Sequence, residues 1–185
     1  MMSVLKQSKI PILIGFLLLG IDFLTKWIAN ITLSVESTVD TALPFWNWYL
    51  TYNEGYHYIF GELAHFRITQ TVGLIAVIVL IWIMARQRAD LRAGSAHRVL
   101  FGIYISLLIG ATGNPWETLV LGRVTDYFIF TPLPWPSNLA DQYINLAIYV
   151  FMPIWIVLSI LESRRKKKAE REELQTSTVE PEESS

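Results

Sequence analysis

Four long apolar runs, parted by polar, aromatic and basic stretches, outline the chain. The first, at about residues 10–31, reads IPILIGFLLLGIDFLTKWIANI and has roughly the 20 residues needed to cross a bilayer core. The others fall at about 68–84, 99–117 and 139–161. The third is the weakest, because VLFGIYISLLIGAT is short for a crossing unless residues 114–121 continue it at the interface. Between the first two runs, at about 32–67, rings crowd together: Phe45, Trp46, Trp48, Tyr49, Tyr52, Tyr56, Tyr58 and Phe60. Such a layer suits the headgroup region. Alternation in FWNWYLTYN predicts a strand, and Asn53-Glu54-Gly55 predicts a turn into a second one. The pattern therefore predicts an all-α membrane protein with four transmembrane helices and a small extracytoplasmic β-cradle between helices 1 and 2. Residues 1–161 form that domain. Residues 162–185, first basic and then acidic, have no apolar period and are expected to lack order.

Composition agrees with a membrane protein. The chain has 185 residues, 52% of them hydrophobic and 17% charged, with a mean hydropathy of +0.38, too apolar for an ordinary soluble domain. Lys6 and Lys9 before the first run resemble the start of a signal peptide. No small-x-small cleavage site follows, however, and Asp22 and Lys26 interrupt the run, so an uncleaved helix is expected. The absence of cysteine excludes disulfides, thiolate metal sites and cysteine nucleophiles. Nothing in the composition calls for nucleic acid or a cofactor.

The net charge of -1 hides an asymmetry. Lys6 and Lys9, then Arg86, Arg88, Arg92 and Arg98, then the cluster from Arg164 to Arg171 all fall on one side of the four-run topology. Only Arg67 and Arg123 fall on the other, with Lys26 inside the first run. The positive-inside rule puts both termini in the cytoplasm and the aromatic layer outside a bacterial inner membrane. The RRKKK cluster suits a stop-transfer signal or contact with anionic lipid.

Candidate chemistry concentrates at residues 113–141, GNPWETLVLGRVTDYFIFTPLPWPSNLAD, which carry Glu117, Asp126 and Asp141. Ionisable groups at membrane depth are rare and tend to mark functional sites. Two carboxylates held close together share a proton and supply an acid and a base. An intramembrane aspartyl hydrolase is one reading; a solvated acidic loop is the other. Asp126 lies in RVTDYFIF, which favours an extended segment. Asp141 follows the helix-opening residues Pro136, Ser137 and Asn138, where a helix N-terminus favours a charged carboxylate by roughly 0.3 to 1 kcal/mol. Nothing evident in the sequence supports Asp126 in that way. Asp22 and Lys26 share a helix face and can pair, either to orient the helix or to serve the site. At the Asn53 to Gly55 turn, glycine permits close backbone approach and the amide offers donors and acceptors. His57, Glu62 and His65 lack the His-Glu-x-x-His spacing of zinc hydrolases, and Ser137 has no nearby histidine.

In their order, DFLTK from Asp22, Asn-x-Gly at Asn53 to Gly55, GN at Gly113 and Asn114, GRVTDYF from Gly122, and WPSNLADQYI from Trp135 resemble the motifs of the lipoprotein signal peptidases, or signal peptidase II. The likeness covers all four runs. It implies a membrane aspartyl endopeptidase with a periplasmic β-cradle, which cuts a prolipoprotein before its diacylglyceryl-modified cysteine. It further implies that Asp126 and Asp141 are the catalytic pair, that Asn53, Gly55, Asn114 and Asn138 line the substrate site, and that Asp22, Lys26, Glu117 and Arg123 support it. The partners it implies are a lipidated prolipoprotein and membrane lipid, and a monomer is expected.

The chain departs from that pattern in two places. Where the family commonly has Gly-Asn-x-x-Asp-Arg, this chain has GNPWET, with Glu117 and Thr118 at the last two positions. A threonine hydroxyl cannot replace the arginine fork. Likewise NEGYHYIFG replaces a compact Asn-x-Gly-Ala-Ala-Phe-Gly pattern, so a differently shaped cradle and a divergent member are expected. The alternative to an enzyme is a lipopeptide-binding or immunity-type membrane protein that keeps the fold without cutting.

Overall fold

The computed structural model describes residues 2–57, 61–62, 65–91, 95–130 and 133–177. Helix α1 (Met2–Thr32) leads to strands β1 (Thr38–Asp40), β2 (Trp46–Asn53), β3 (Tyr56–His57) and β4 (Gly61–Glu62), then to helix α2 (Phe66–Asp90). Helices α3 (Ala96–Ala111) and α4 (Gly113–Leu121) follow, then strands β5 (Val124–Phe130) and β6 (Leu133–Ser137). The chain closes with α5 (Leu139–Asn145), a π-helical stretch (Leu146–Phe151) and α6 (Met152–Ser177).

Among the described residues, four helical segments are long and apolar enough to cross a membrane: Lys6–Thr32, Phe66–Asp90, Ala96–Leu121 and Leu139–Glu172. The third is the axis of the bundle, with 67% of its apolar stretch buried against 22%, 11% and 6% for the others. Those three keep their apolar side chains on the outside, as a lipid-facing surface requires. Gly110 lets the helices close up, because a Cβ there would lie 2.7 Å from the Tyr143 ring and 2.9 Å from Leu18. The third run is completed by a second helix. Thr112 ends α3, and Pro115 falls in the first turn of α4, where its missing N–H leaves no bond unmade.

Proline also explains the π-helical stretch. Pro153 has no N–H for the carbonyl of Tyr149 and its ring crowds the preceding turn, so the helix widens just before it. Residues beyond 161, expected to lack order, are helical as far as Ser177; residues 178–185 lie outside the described ones. Continuation of the helix out of the apolar run is supported by Glu162–Lys166 and Lys168–Glu172 pairs one turn apart.

The cradle is a four-stranded antiparallel sheet in the order β1-β2-β5-β6. Two of its strands come from the connection between α1 and α2, and two from the connection between α4 and α5. The aromatic pattern of the first connection announces only its own half. Pairing of β2 with β5 sets Thr51 opposite Asp126 and Asn53 opposite Val124. Phe128 is fully buried, with the Trp46 ring stacked on it at 4.7 Å. The rings of the first connection thus pack on β5 rather than forming only a headgroup layer. Tyr58 and Phe60 lie outside the described residues, as do the side chains of Tyr56, His57 and Glu62 and all of Arg92.

Candidate active site

The turn into α5 is held by a reciprocal cap. Asn138 is extended at the N-cap, and its Oδ1 accepts from the Asp141 N–H at 3.2 Å while Asp141 Oδ2 accepts from the Asn138 N–H at 3.2 Å. The sequence Asn-x-x-Asp gives this box, with aspartate in place of the usual glutamate or glutamine. Ser137, expected to open the helix, instead donates from Oγ to Asp141 Oδ2 at 3.3 Å and accepts from Gln142 at 2.7 Å. The other carboxylate oxygen, Oδ1, accepts from Asn114 Nδ2 at 2.8 Å. Asp141 is therefore held by donors from α4, β6 and its own helix.

Asp126 is positioned by β5, the strand buried between β2 and β6. The sequence offers it no evident support, yet the fold supplies one: Asn138 Nδ2 donates to Asp126 Oδ1 at 2.5 Å. The same amide nitrogen reaches the Thr125 carbonyl at 3.3 Å. Asn138 is fully buried and Asp126 is 5% exposed. Burial pushes the Asp126 carboxyl well above its usual 3.8, and the charge of Asp141 adds to the rise; the Asn138 bond and the charge of Lys26 oppose it. Asp126 and Asp141 line one cavity of about 60 Å³, with Asn53, Phe66, Gln70, Asn114 and Val124. That volume admits ordered water.

Behind the cavity lies a buried charge cluster centred on Lys26. Its Nζ sits 2.9 Å from Asp22 Oδ2, 3.0 Å from Glu117 Oε2 and 2.6 Å from Asn114 Oδ1. Because an ammonium only donates, it fixes which end of the Asn114 amide turns to Asp141. Asp22 Oδ1 accepts from the Ala140 N–H at 2.9 Å, and Glu117 Oε1 accepts from Thr125 Oγ1 at 2.5 Å. The pair read from sequence as i,i+4 is thus one part of a cluster tying α1, α4, α5 and β5 together. Gly113 is needed beside it, since a Cβ there would collide with Asp22 Oδ2. Thr118 is fully buried and donates to the Asn114 carbonyl at 2.9 Å.

The remaining candidates lie further out. Gly55 does not line the cavity; its N–H closes a turn on Asn53 Oδ1 at 3.1 Å. Arg123 lies over the Tyr52 ring, 3.6 Å from its centre, at the end of the β2–β5 pair. Gln70 and Phe66 line the cavity and escaped the sequence reading; the one signal was the polar Thr-Gln-Thr opening of the second apolar run. Thr125 escaped too, because a β-branched residue in a strand looks ordinary until its hydroxyl is seen on Glu117. A larger cavity, about 200 Å³, lies beside Tyr127 and is lined by Thr25, Ile28, Ala29, Thr32, Leu33 and Trp48. It is largely apolar, and burial holds the Tyr127 hydroxyl protonated, so the acid–base capacity resides in the smaller cavity.

Comparison with known proteins decides the family to which this geometry belongs. The model of Signal peptidase (SPase) II matches residues 14–158. The chain belongs to the signal peptidase II family. It is 30% identical over 140 residues to a lipoprotein signal peptidase of Polynucleobacter necessarius, covering 71% of this chain and 79% of that one. Its identity to the lipoprotein signal peptidase of Ectopseudomonas mendocina is 25% over 169 residues, covering 89% and 93%. With that of Xanthomonas campestris it shares 29% over 173 residues, covering 88% and 95%. The fold is similar to that of a bacterial membrane enzyme solved in meso at 1.9 Å, with a TM-score of 0.66 and 18% identity over 80% of this chain and 92% of that one. A multi-pass bacterial membrane peptidase is thus the class to which the cavity belongs.

Proposed function

We propose that this chain is an aspartyl endopeptidase that removes the signal peptide of a diacylglyceryl-modified prolipoprotein, cutting just before the lipidated cysteine. The observation that carries the reading is the sharing of one small polar cavity by Asp126 and Asp141 at one end of an apolar bundle. The two carboxyls share one proton. The ionised member takes a proton from water as its oxygen attacks the scissile carbonyl carbon, and the protonated member gives its proton to the carbonyl oxygen. Collapse of the resulting gem-diol breaks the C–N bond, returns a proton to the departing amine and regenerates the shared-proton state. Asn138 holds Asp126, while Asn114 and Ser137 hold Asp141, which supports a pre-positioned acid pair.

Family membership supports the substrate class, since the relatives named above are lipoprotein signal peptidases. Acyl chains on the substrate would stay in the bilayer while the peptide enters the cavity beside Asn53 and Gln70. Basic residues at the opposite end of the bundle support a topology with both termini in the cytoplasm and the cavity outside. The test is cleavage of a diacylglyceryl-modified precursor peptide by the purified protein in detergent, read as a new N-terminal cysteine. Asp126→Asn and Asp141→Asn should each abolish it while the variants stay folded. Turnover in either variant would remove the acid pair, and capture without cleavage by the wild type would favour a lipopeptide-binding protein.

A further inference from the structure

At the end of the bundle opposite the carboxylates, two arginines meet without a counter-ion. Pro11 has no N–H for the Gln7 carbonyl, and that orphaned oxygen accepts instead from Arg88 Nη1. Arg88 Nε donates to the Arg98 carbonyl at 3.2 Å, and Arg98 donates from Nη1 to the Leu91 carbonyl at 2.8 Å and from Nη2 to Gln7 Oε1 at 2.9 Å. All these acceptors are neutral. Neither guanidinium pairs with a carboxylate among the described residues: at this end Asp90 and Glu170 are exposed, Glu162 is held by His97 and Lys166, and Glu172 by Lys168. Lys6, Lys9 and Arg86 add further positive charge. Arg98 also sits in the first turn of α3, where the helix field opposes a cation. Ser8, next to Gln7, is fully buried, with no partner for its hydroxyl among the described residues.

Two half-buried guanidiniums held side by side by neutral acceptors repel one another, and a bound anion would relieve that repulsion. Arg88 Nη2 and Arg98 Nε have no acceptor among the described residues, so donors remain for one. Depth identifies the anion. Gln7, Arg88 and Arg98 lie within three residues of the ends of the first three candidate spans, at the level where phosphodiesters lie. Guanidinium donors match phosphate oxygens better than any other common anion at that depth. We infer that Arg88 and Arg98 form a binding site for the phosphodiester headgroup of an anionic phospholipid, seated between α1, α2 and α3. The lipid would brace the very seam that Pro11 opens.

The test compares wild type, R88Q/R98Q and R88K/R98K, each delipidated in detergent and exposed to phosphatidylglycerol, phosphatidylcholine or inorganic phosphate. Retained lipid is read by native mass spectrometry and stability by melting temperature. Wild type should retain one phosphatidylglycerol and melt higher with it. R88Q/R98Q should lose about tenfold in retention, the scale of a charge-assisted contact, and R88K/R98K should fall between. Equal retention of phosphatidylcholine by the wild type overturns the proposal and needs no variant to fold. So does undiminished retention of phosphatidylglycerol by R88Q/R98Q. If inorganic phosphate alone reproduces the stabilisation, the site takes a free anion and the lipid assignment fails.

Discussion

One amide, that of Asn138, joins the two acids: its nitrogen lies 2.5 Å from Asp126 Oδ1 and its oxygen 3.2 Å from the N–H of Asp141. It caps the last helix and orients the neighbouring strand at once. Asn138→Ala should therefore cost both stability and rate. Loss of an N-cap contributes roughly 1 kcal/mol, and misplacement of one acid lowers kcat about 100-fold. Asn138→Ser keeps a capping oxygen but lacks the amide nitrogen from which Asp126 accepts, so its melting temperature should partly recover while its activity does not. Steady-state kinetics alongside thermal unfolding would separate the two roles, and an active Asn138→Ala would show that Asp126 needs no such partner.

Lys26 is the second joint of the site, because among the described residues its ammonium is the one cation paired with two buried carboxylates, Asp22 and Glu117. Lys26→Met should lower stability by about 3–5 kcal/mol, the usual result of leaving buried charge uncompensated. Adding Glu117→Gln to Lys26→Met removes one of the stranded charges and should restore part of the loss. Melting curves of the single and double variants measure this coupling; simple additivity would mean that Lys26 and Glu117 act independently.

Much of this arrangement could be read from the chain, and the unread part has a common cause. Apolar runs announce helices because lipid demands a continuous apolar surface, and Asn-x-x-Asp announces a cap because both partners lie within one turn. Contacts such as Asn138 to Asp126 or Thr125 to Glu117 depend on how β5 docks, and no local pattern encodes that. The same holds for the shared sheet: rings at 45–52 signal one half, while the partner strands wait until after α4. From residue 162 to Ser177 the chain is helical where disorder was expected, and i,i+4 charge pairs support that helix without an apolar face.

The motif resemblance puts Thr118 where an arginine is expected, and here it is fully buried against the Asn114 carbonyl. Lys26 already lies against Glu117, and the fully buried Thr118 sits in packing sized for a small side chain rather than a guanidinium. Thr118→Arg should reduce folded yield and destabilise the protein by at least about 1–3 kcal/mol through overpacking alone. Gains in activity on a standard lipidated precursor would mean instead that the cavity still accommodates the arginine. Size-exclusion profiles and turnover, taken together, decide between these outcomes.

The protonation of Asp126 leaves a signature in stability. Its folded-state pKa is raised well above 3.8, chiefly by burial and then by Asp141, so the folded protein holds this proton more tightly than the unfolded chain does. Below the unfolded value both states are protonated and the residue costs nothing. As pH rises from there to the raised value, the unfolded chain releases its proton first, and folding stability falls by about 1.4 kcal/mol for each pH increment of one across that interval. Asp126→Asn, which cannot ionise, escapes this loss. The variant should melt close to the wild type near about pH 4 and several degrees above it near about pH 8, at about 2–4 °C per kcal/mol for a chain of this size. Activity should fade on the alkaline side over the same range, as the pair gives up the proton it shares. A melting difference between wild type and Asp126→Asn that does not change with pH would show that the carboxyl keeps an ordinary affinity for its proton, and would leave the acid half of the proposed mechanism without a donor.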